Sequence, residues 1–314
     1  MVYLILVVSL VILYFGAEWL VGGASSLAAR LGISPLIIGL TIVSFGTSAP
    51  ELLVSVKAAI QEQSALSVGN VIGSNLFNVV LILGISAIVY PLSVKKQLLR
   101  FDVPVMIAVS ILFMFLFIDG LLSTMESWIL ILLFAAYISM LFVKSMKDKR
   151  SGANTADDEI QVRIYKHWLL DVLLIVIGLG GLIYGSSLLV DSAIKIAHTF
   201  GVSEAIIGLT IVAAGTSVPE LATSVVAAIK KQSDIAIGNV VGSNISNLLL
   251  ILGVAGAVYP IETRDINIID NLFVVGTGII LWGFMKMGKN IKRWQGVMFV
   301  LMYVVYMGLK LSSI

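Results

Sequence analysis

The chain has 314 residues, 59% of them hydrophobic and 12% charged, with a mean hydropathy of +1.07. Soluble domains carry roughly 25% charged residues, so an ordinary soluble globular protein is excluded, and apolar runs without period-2 alternation exclude a membrane barrel. The net charge of +2 says less than the placement of the charges, and with no cysteine there is no disulfide framework, thiolate metal site or thiol catalysis.

About 20 apolar residues suffice to span a bilayer. Ten such segments fit, near 2–24, 35–60, 66–90, 102–118, 127–145, 167–189, 204–229, 235–259, 268–285 and 294–312. The first lacks a basic leader and reads as a retained span rather than a cleaved signal. The expected fold is an all-α integral membrane protein with ten transmembrane helices in two inverted five-helix repeats, 1–146 and 167–314. The hydrophilic stretch 147–166 between them reads as a cytoplasmic linker too short to fold as a domain. Sixteen of the 20 Lys and Arg follow odd-numbered spans, which places odd connections in the cytoplasm and both termini outside. The histidines, His167 and His198, lie at expected membrane boundaries and are not spaced as a metal pair.

Residues 31–91 align on 200–260 without a gap, and 36 of the 61 positions are identical. With five spans per half, the second copy must enter the membrane upside down. Inverted repeats of this kind build alternating-access transporters whose substrate sites lie near the midplane, between the repeats.

Two motifs recur within the repeat. Gly46-Thr47-Ser48-Ala49-Pro50-Glu51 returns as Gly215-Thr216-Ser217-Val218-Pro219-Glu220, which puts a carboxylate inside an apolar run in each half. An intramembrane acid is costly and marks a functional site. Pro50 has no N–H and crowds the carbonyl four residues back, so the helix should break near Gly46. Backbone carbonyls, the Thr47 and Ser48 hydroxyls and Glu51 would then meet the inverted set Thr216, Ser217 and Glu220. An all-oxygen site suits a hard cation, and Ca²⁺ takes about 6–8 oxygen ligands. The absence of Cys and of a placed His argues against Zn²⁺ or Cu⁺.

The second motif, Gly69-Asn70-Val71-Ile72-Gly73-Ser74-Asn75, returns as Gly238-Asn239-Val240-Val241-Gly242-Ser243-Asn244. Its glycines read as packing positions that let helices approach closely. Asn70, Asn75, Asn239 and Asn244 read as interhelical hydrogen-bond partners. Ser74 with Asn78, and Ser243 with Asn247, are four apart and can present oxygens to one point. Glu18 and Asp191 have no acidic counterpart in the other half and read as interfacial. Gln63 and Gln232 read as loop residues.

On these paired motifs the chain resembles the cation/calcium antiporter superfamily, and within it the prokaryotic type of the sodium/calcium exchanger family. The resemblance implies exchange of Na⁺ for Ca²⁺ by alternating access, with two outer helices sliding against a core that holds the ions. It implies that Ca²⁺ is held by Glu51, Glu220 and the main-chain carbonyls of Thr47 and Thr216. Flanking Na⁺ sites would use Ser48, Ser217, Ser44, Ala213, Ser74 and Ser243. Asn78 and Asn247 occupy a late position where some relatives carry Asp. Two amides there leave only two central acids, which weakens potassium co-transport and removes one possible proton acceptor.

The transported ions are the only small-molecule partners implied. No cofactor, enzymatic step or nucleic-acid partner is expected, the bilayer is the solvent, and a monomer is sufficient for transport. A Ca²⁺/H⁺ antiporter of the same fold is the alternative, but the Thr-Ser hydroxyls suit Na⁺. A cation channel is less favoured, because no filter-like run of carbonyl donors is present. A hydrolase would need a His beside its Ser, and there is none.

Overall fold

The structure, a computed structural model, describes residues 2–150, 164–165, 167–200, 213–262 and 268–312. Most of the expected linker at 147–166, and 204–212 of the expected seventh span, lie outside the described residues. The helices are α1 (Val2–Leu31), α2 (Pro35–Thr47), α3 (Ala49–Ile60), α4 (Ser64–Val89), α5 (Leu98–Leu116) and α6 (Thr124–Arg150). The second half supplies α7 (Trp168–Thr199), a short turn Ala213–Gly215, α8 (Val218–Ile229), α9 (Ser233–Val258), α10 (Ile268–Gly288) and α11 (Arg293–Ser312). Among the described residues seven helices are long and apolar enough to cross a membrane, and α2 with α3 makes an eighth if that bent pair is one span. The protein is a multi-pass helical membrane protein, and ten helices in two inverted repeats fit this arrangement.

The repeat is written in the backbone as well as in the sequence. Glu62 and Lys231 both take positive φ, 59° and 61°, at the turn that ends α3 and α8. Each following helix widens into a π-helical turn, Phe77–Ile82 in α4 and Asn247–Ile251 in α9. Tyr90 and Tyr259 then leave helical geometry with nearly the same angles, φ −144° and −148°. Two-residue strands absent from the sequence reading tie the halves together at the helix ends. They are β1 (Leu92–Ser93), β2 (Leu121–Leu122), β3 (Ile261–Glu262) and β4 (Asn290–Ile291), and β1 pairs antiparallel with β4 as β2 does with β3. Each pair supplies backbone donors and acceptors that a chain emerging from a helix would otherwise leave open.

Three helices clearly exceed their expected lengths: α6 runs from Thr124 to Arg150 against an expected 127–145, into the expected linker, and α1 and α7 are also longer. The reading placed spans at 2–24 and 167–189, whereas α1 runs to Leu31 and α7 to Thr199. They lie along one another with their backbones in near contact: a Cβ on Gly178 would come within 2.6 Å of Leu20 N and 2.7 Å of Gly16 O. Small residues at such a seam are how membrane helices gain van der Waals contact. Past the apolar part of α1 a polar clamp keeps it helical. Arg30 Nε pairs with Asp171 Oδ2 at 2.8 Å, Ser26 Oγ donates to Asp171 Oδ1 at 2.6 Å, and Arg30 Nη2 donates to the Tyr165 carbonyl at 2.5 Å. The outward faces of both helices carry exposed Leu4, Val7, Val11, Leu173, Val176 and Tyr184, a surface suited to hydrocarbon.

Candidate ion-binding site

The helix break comes where the proline requires it. α2 starts on Ser34, whose Oγ accepts from Leu36 N, with Pro35 at the first helical position. The helical run stops at Ser48, with φ −81° and ψ 8°, and α3 resumes with Pro50 in its first turn. The axis bends by 48° between them. Ser217 repeats the break with φ −89° and ψ 6°, ahead of α8 and Pro219. In each half the break sets Glu51 or Glu220 in the first turn of the next helix, fully enclosed at 1% and 0% exposure.

Each carboxylate is held by the opposite repeat. Ser217 Oγ donates to Glu51 Oε1 at 2.9 Å and lies 3.1 Å from Ser74 Oγ. Ser48 Oγ donates to Glu220 Oε1 at 2.9 Å and lies 3.0 Å from Ser243 Oγ. Ser74 Oγ is also 3.5 Å from Glu51 Oε1, and Ser243 Oγ donates to the Ser44 carbonyl at 3.5 Å. Two acids, four serine hydroxyls and the Ser44 carbonyl are therefore brought together. Ala213 opens the short turn ahead of Gly215 and Thr216.

The threonine hydroxyls reach the two carboxylates and also bond to asparagines of the opposite repeat. Thr47 Oγ1 lies 3.1 Å from Asn239 Oδ1 and 3.3 Å from the Ser44 carbonyl, and Thr216 Oγ1 donates to Asn70 Oδ1 at 3.4 Å. Asn70 Nδ2 in turn donates to the Glu51 carbonyl at 3.2 Å and to Ser55 Oγ at 2.9 Å. Asn239 does the same to the Glu220 carbonyl and Ser224 Oγ, at 3.3 and 3.0 Å. These bonds tie the threonine of each break, through an asparagine of the opposite repeat, to the main-chain carbonyl of that repeat's glutamate.

Four buried oxygens in this core have no protein partner: Glu51 Oε2, Glu220 Oε2, Asn78 Oδ1 and Asn247 Oδ1. They fall into two pairs related by the repeat. Unpartnered buried acceptors are costly and call for an explanation. No cationic side chain among the described residues pairs with either Glu. Two buried anions, amide oxygens and hydroxyls make a donor set for hard cations.

Glu18 and Gln232 both make contacts. Lys230 Nζ lies 3.3 Å from Glu18 Oε1, and Ser25 Oγ donates to Gln232 Oε1 at 2.5 Å, so α1 is fastened to the end of α8. His167 and His198 sit at opposite ends of α7. The sequence reading missed the buried acids Asp171 and Asp102. Asp102 accepts from Tyr137 Oη at 3.2 Å, and Asp270 from Tyr306 Oη at 2.9 Å.

Comparison with known proteins bears on this geometry. The family model for "Sodium/calcium exchanger protein" matches residues 1–143 and 170–312. The inner membrane protein YrbG of Escherichia coli strain K12 is 38% identical over 262 residues, covering 82% of this chain and 80% of its own. The sodium/calcium exchanger MaX1 of Methanosarcina acetivorans is 33% identical over 340 residues, covering 97% of each chain. A solved structure of the sodium-calcium exchanger NCX_Mj, soaked with 10 mM Na⁺ and 10 mM Sr²⁺, superposes with a TM-score of 0.84 at 32% identity, covering 98% of this chain and 99% of that one.

Proposed function

The chain belongs to the sodium/calcium exchanger protein family, and from that premise we propose that it exchanges Na⁺ for Ca²⁺ across the membrane by alternating access. The observation that carries the reading is the pair of fully enclosed carboxylates, each with one oxygen held by a serine of the other repeat and one without a partner. Ca²⁺ would bridge Glu51 and Glu220, with the main-chain carbonyls of Thr47 and Thr216 alongside. Na⁺ ions would divide the same oxygens with Ser44, Ser48, Ser74, Ala213, Ser217 and Ser243, and Asn78 and Asn247 would complete the set.

Coupling follows from electrostatics. Without ions the site carries two negative charges away from water, and uncompensated buried charge is strongly unfavourable. Only loaded states change conformation, so one ion species leaves when the other arrives. The backbone seam and the Arg30–Asp171 pair join α1 and α7, which supports their moving as one body against the core. Basic residues orient the molecule with the linker in the cytoplasm and both termini outside.

Radioactive calcium uptake into proteoliposomes loaded with Na⁺ tests the reading. Uptake is expected only with internal Na⁺, and uptake driven by a pH gradient without sodium assigns the protein to Ca²⁺/H⁺ antiport instead. Glu51→Gln and Glu220→Gln should each abolish sodium-dependent calcium flux, because each removes half of the charge that holds a divalent ion. Normal flux in either variant would sink the assignment.

A further inference from the structure

The inference drawn here rests on the exchanger reading and concerns what aims two of its ligands. An amide has two ends: Oδ1 attracts a cation and the Nδ2 hydrogens repel it. Asn78 and Asn247 therefore serve a cation only if their oxygen ends face it.

A chain of four asparagines across the repeat interface decides which end faces where. Asn75 Nδ2 donates to the main-chain carbonyl of Asn244 at 3.3 Å, and Asn244 Nδ2 donates to the main-chain carbonyl of Asn75 at 3.1 Å. A carbonyl can only accept, so neither amide can be turned around. Their Oδ1 atoms are thereby left as acceptors, and each takes a donor from the second pair. Asn78 Nδ2 reaches Asn244 Oδ1 at 2.9 Å, and Asn247 Nδ2 reaches Asn75 Oδ1 at 3.0 Å. With those donor ends pinned, Asn78 Oδ1 and Asn247 Oδ1 are the atoms that remain without a protein partner. All four residues are buried to within 1% exposure.

We propose that Asn75 and Asn244 are positioning residues: they relay the direction of two backbone carbonyls to Asn78 and Asn247 and fix the oxygen ends of those amides toward the ions. Each relay crosses the interface, so α4 aims the ligand of α9 and α9 aims that of α4. The chain of asparagines thus gives the site its preference for positive charge at two positions that carry no charge themselves.

The test is sodium-dependent calcium uptake by purified protein in proteoliposomes, with melting temperature measured in parallel. Asn244→Ala removes the acceptor that holds Asn78 and should raise the apparent KM for Ca²⁺ roughly 10–100-fold, the usual cost of losing a residue that orients a metal ligand. Adding Asn78→Asp to that variant should restore much of the loss, because a carboxylate has two oxygen ends and no wrong orientation. Asn78→Asp alone supplies the reference for the added charge. If Asn244 served packing alone, Asn244→Ala would lower the melting temperature without moving KM, or Asn78→Asp would fail to rescue it, and either result overturns the proposal. Asn75→Ala with Asn247→Asp repeats the test in the other half should Asn244→Ala be recovered poorly. Wild-type protein without sodium-dependent uptake would overturn the exchanger reading itself, which keeps the two failures distinct.

Discussion

The N-terminal parts of α4 and α9 are copies in sequence, and around the two glutamates they make matching contacts, yet among the described residues only α9 has a neighbour against its glycines. Gly238 and Gly242 of α9 lie against the backbone of α2: a Cβ on Gly242 would meet Leu40 O at 2.6 Å and Ser44 Oγ at 2.7 Å. Their counterparts in α4, Gly69 and Gly73, are exposed, and among the described residues nothing lies within 4 Å of a Cβ added there. Asn239 is fully buried and Asn70 only partly so. By contrast, the Ser48–Glu220 and Ser217–Glu51 bonds are both 2.9 Å. The polar site keeps the twofold relation of the repeats; Gly238 and Gly242 lie on Leu36, Gly39 and Leu40 of α2, whose counterparts at 205, 208 and 209 lie outside the described residues.

The largest effect that could break this comparison is steric. Gly242→Ala pushes a methyl group into the Leu40 backbone and should cost about 3 kcal/mol, the upper end for overpacking, whereas Gly73→Ala, whose methyl group meets nothing among the described residues, should cost less. Equal destabilisation by both would show that the glycine faces of the two copies are packed alike. A Gly73→Ala protein that melts normally but does not transport would sharpen the contrast, by showing that this face closes only during the cycle.

A smaller effect tests the shared centre. Ser48→Ala and Ser217→Ala each remove one hydrogen bond to a buried carboxylate, worth roughly 1.5–3 kcal/mol when the acceptor is charged. Equal losses of apparent ion affinity are expected in flux assays, and a large difference between them would show that the site departs from the twofold relation. The smallest effect concerns the fastening of α1. Glu18 pairs with Lys230, but the matching positions are Ser187 and Gln61, so only one end of the molecule has this ion pair. Both side chains are about one-third exposed, 36% and 29%, and such pairs contribute under about 1 kcal/mol. Glu18→Gln, Lys230→Gln and the double variant should give a coupling of that size in a thermal double-mutant cycle, reduced at high salt.

Much of this was legible beforehand because hydrocarbon punishes unpaired polarity. Glu51 and Glu220 stand out as acids inside apolar runs, and the Asn and Ser residues of the second motif as polar positions that need partners. The reading of Asn70, Asn75, Asn239 and Asn244 as hydrogen-bond residues matches their contacts. Spacing along one helix could bring Ser74 and Asn78 to a common side, but it could not say that Asn78 would be tied to Asn244, 166 residues away. Nor could it show the Thr47 hydroxyl turned toward Asn239, or Asp171 buried beneath Arg30. Those outcomes depend on which helices become neighbours.

By itself the sequence determined the class of fold, the inverted pairing of halves and the two acids at the centre. It could do so because each follows from local chemistry: the length of an apolar run, the missing N–H of Pro50 and Pro219, and the cost of a carboxylate out of water. Only the tertiary structure decided which oxygens are consumed by the protein and which are left open for an ion. A hydroxyl or amide has the same donors and acceptors wherever it sits, and its free end is whichever one the facing helix does not claim.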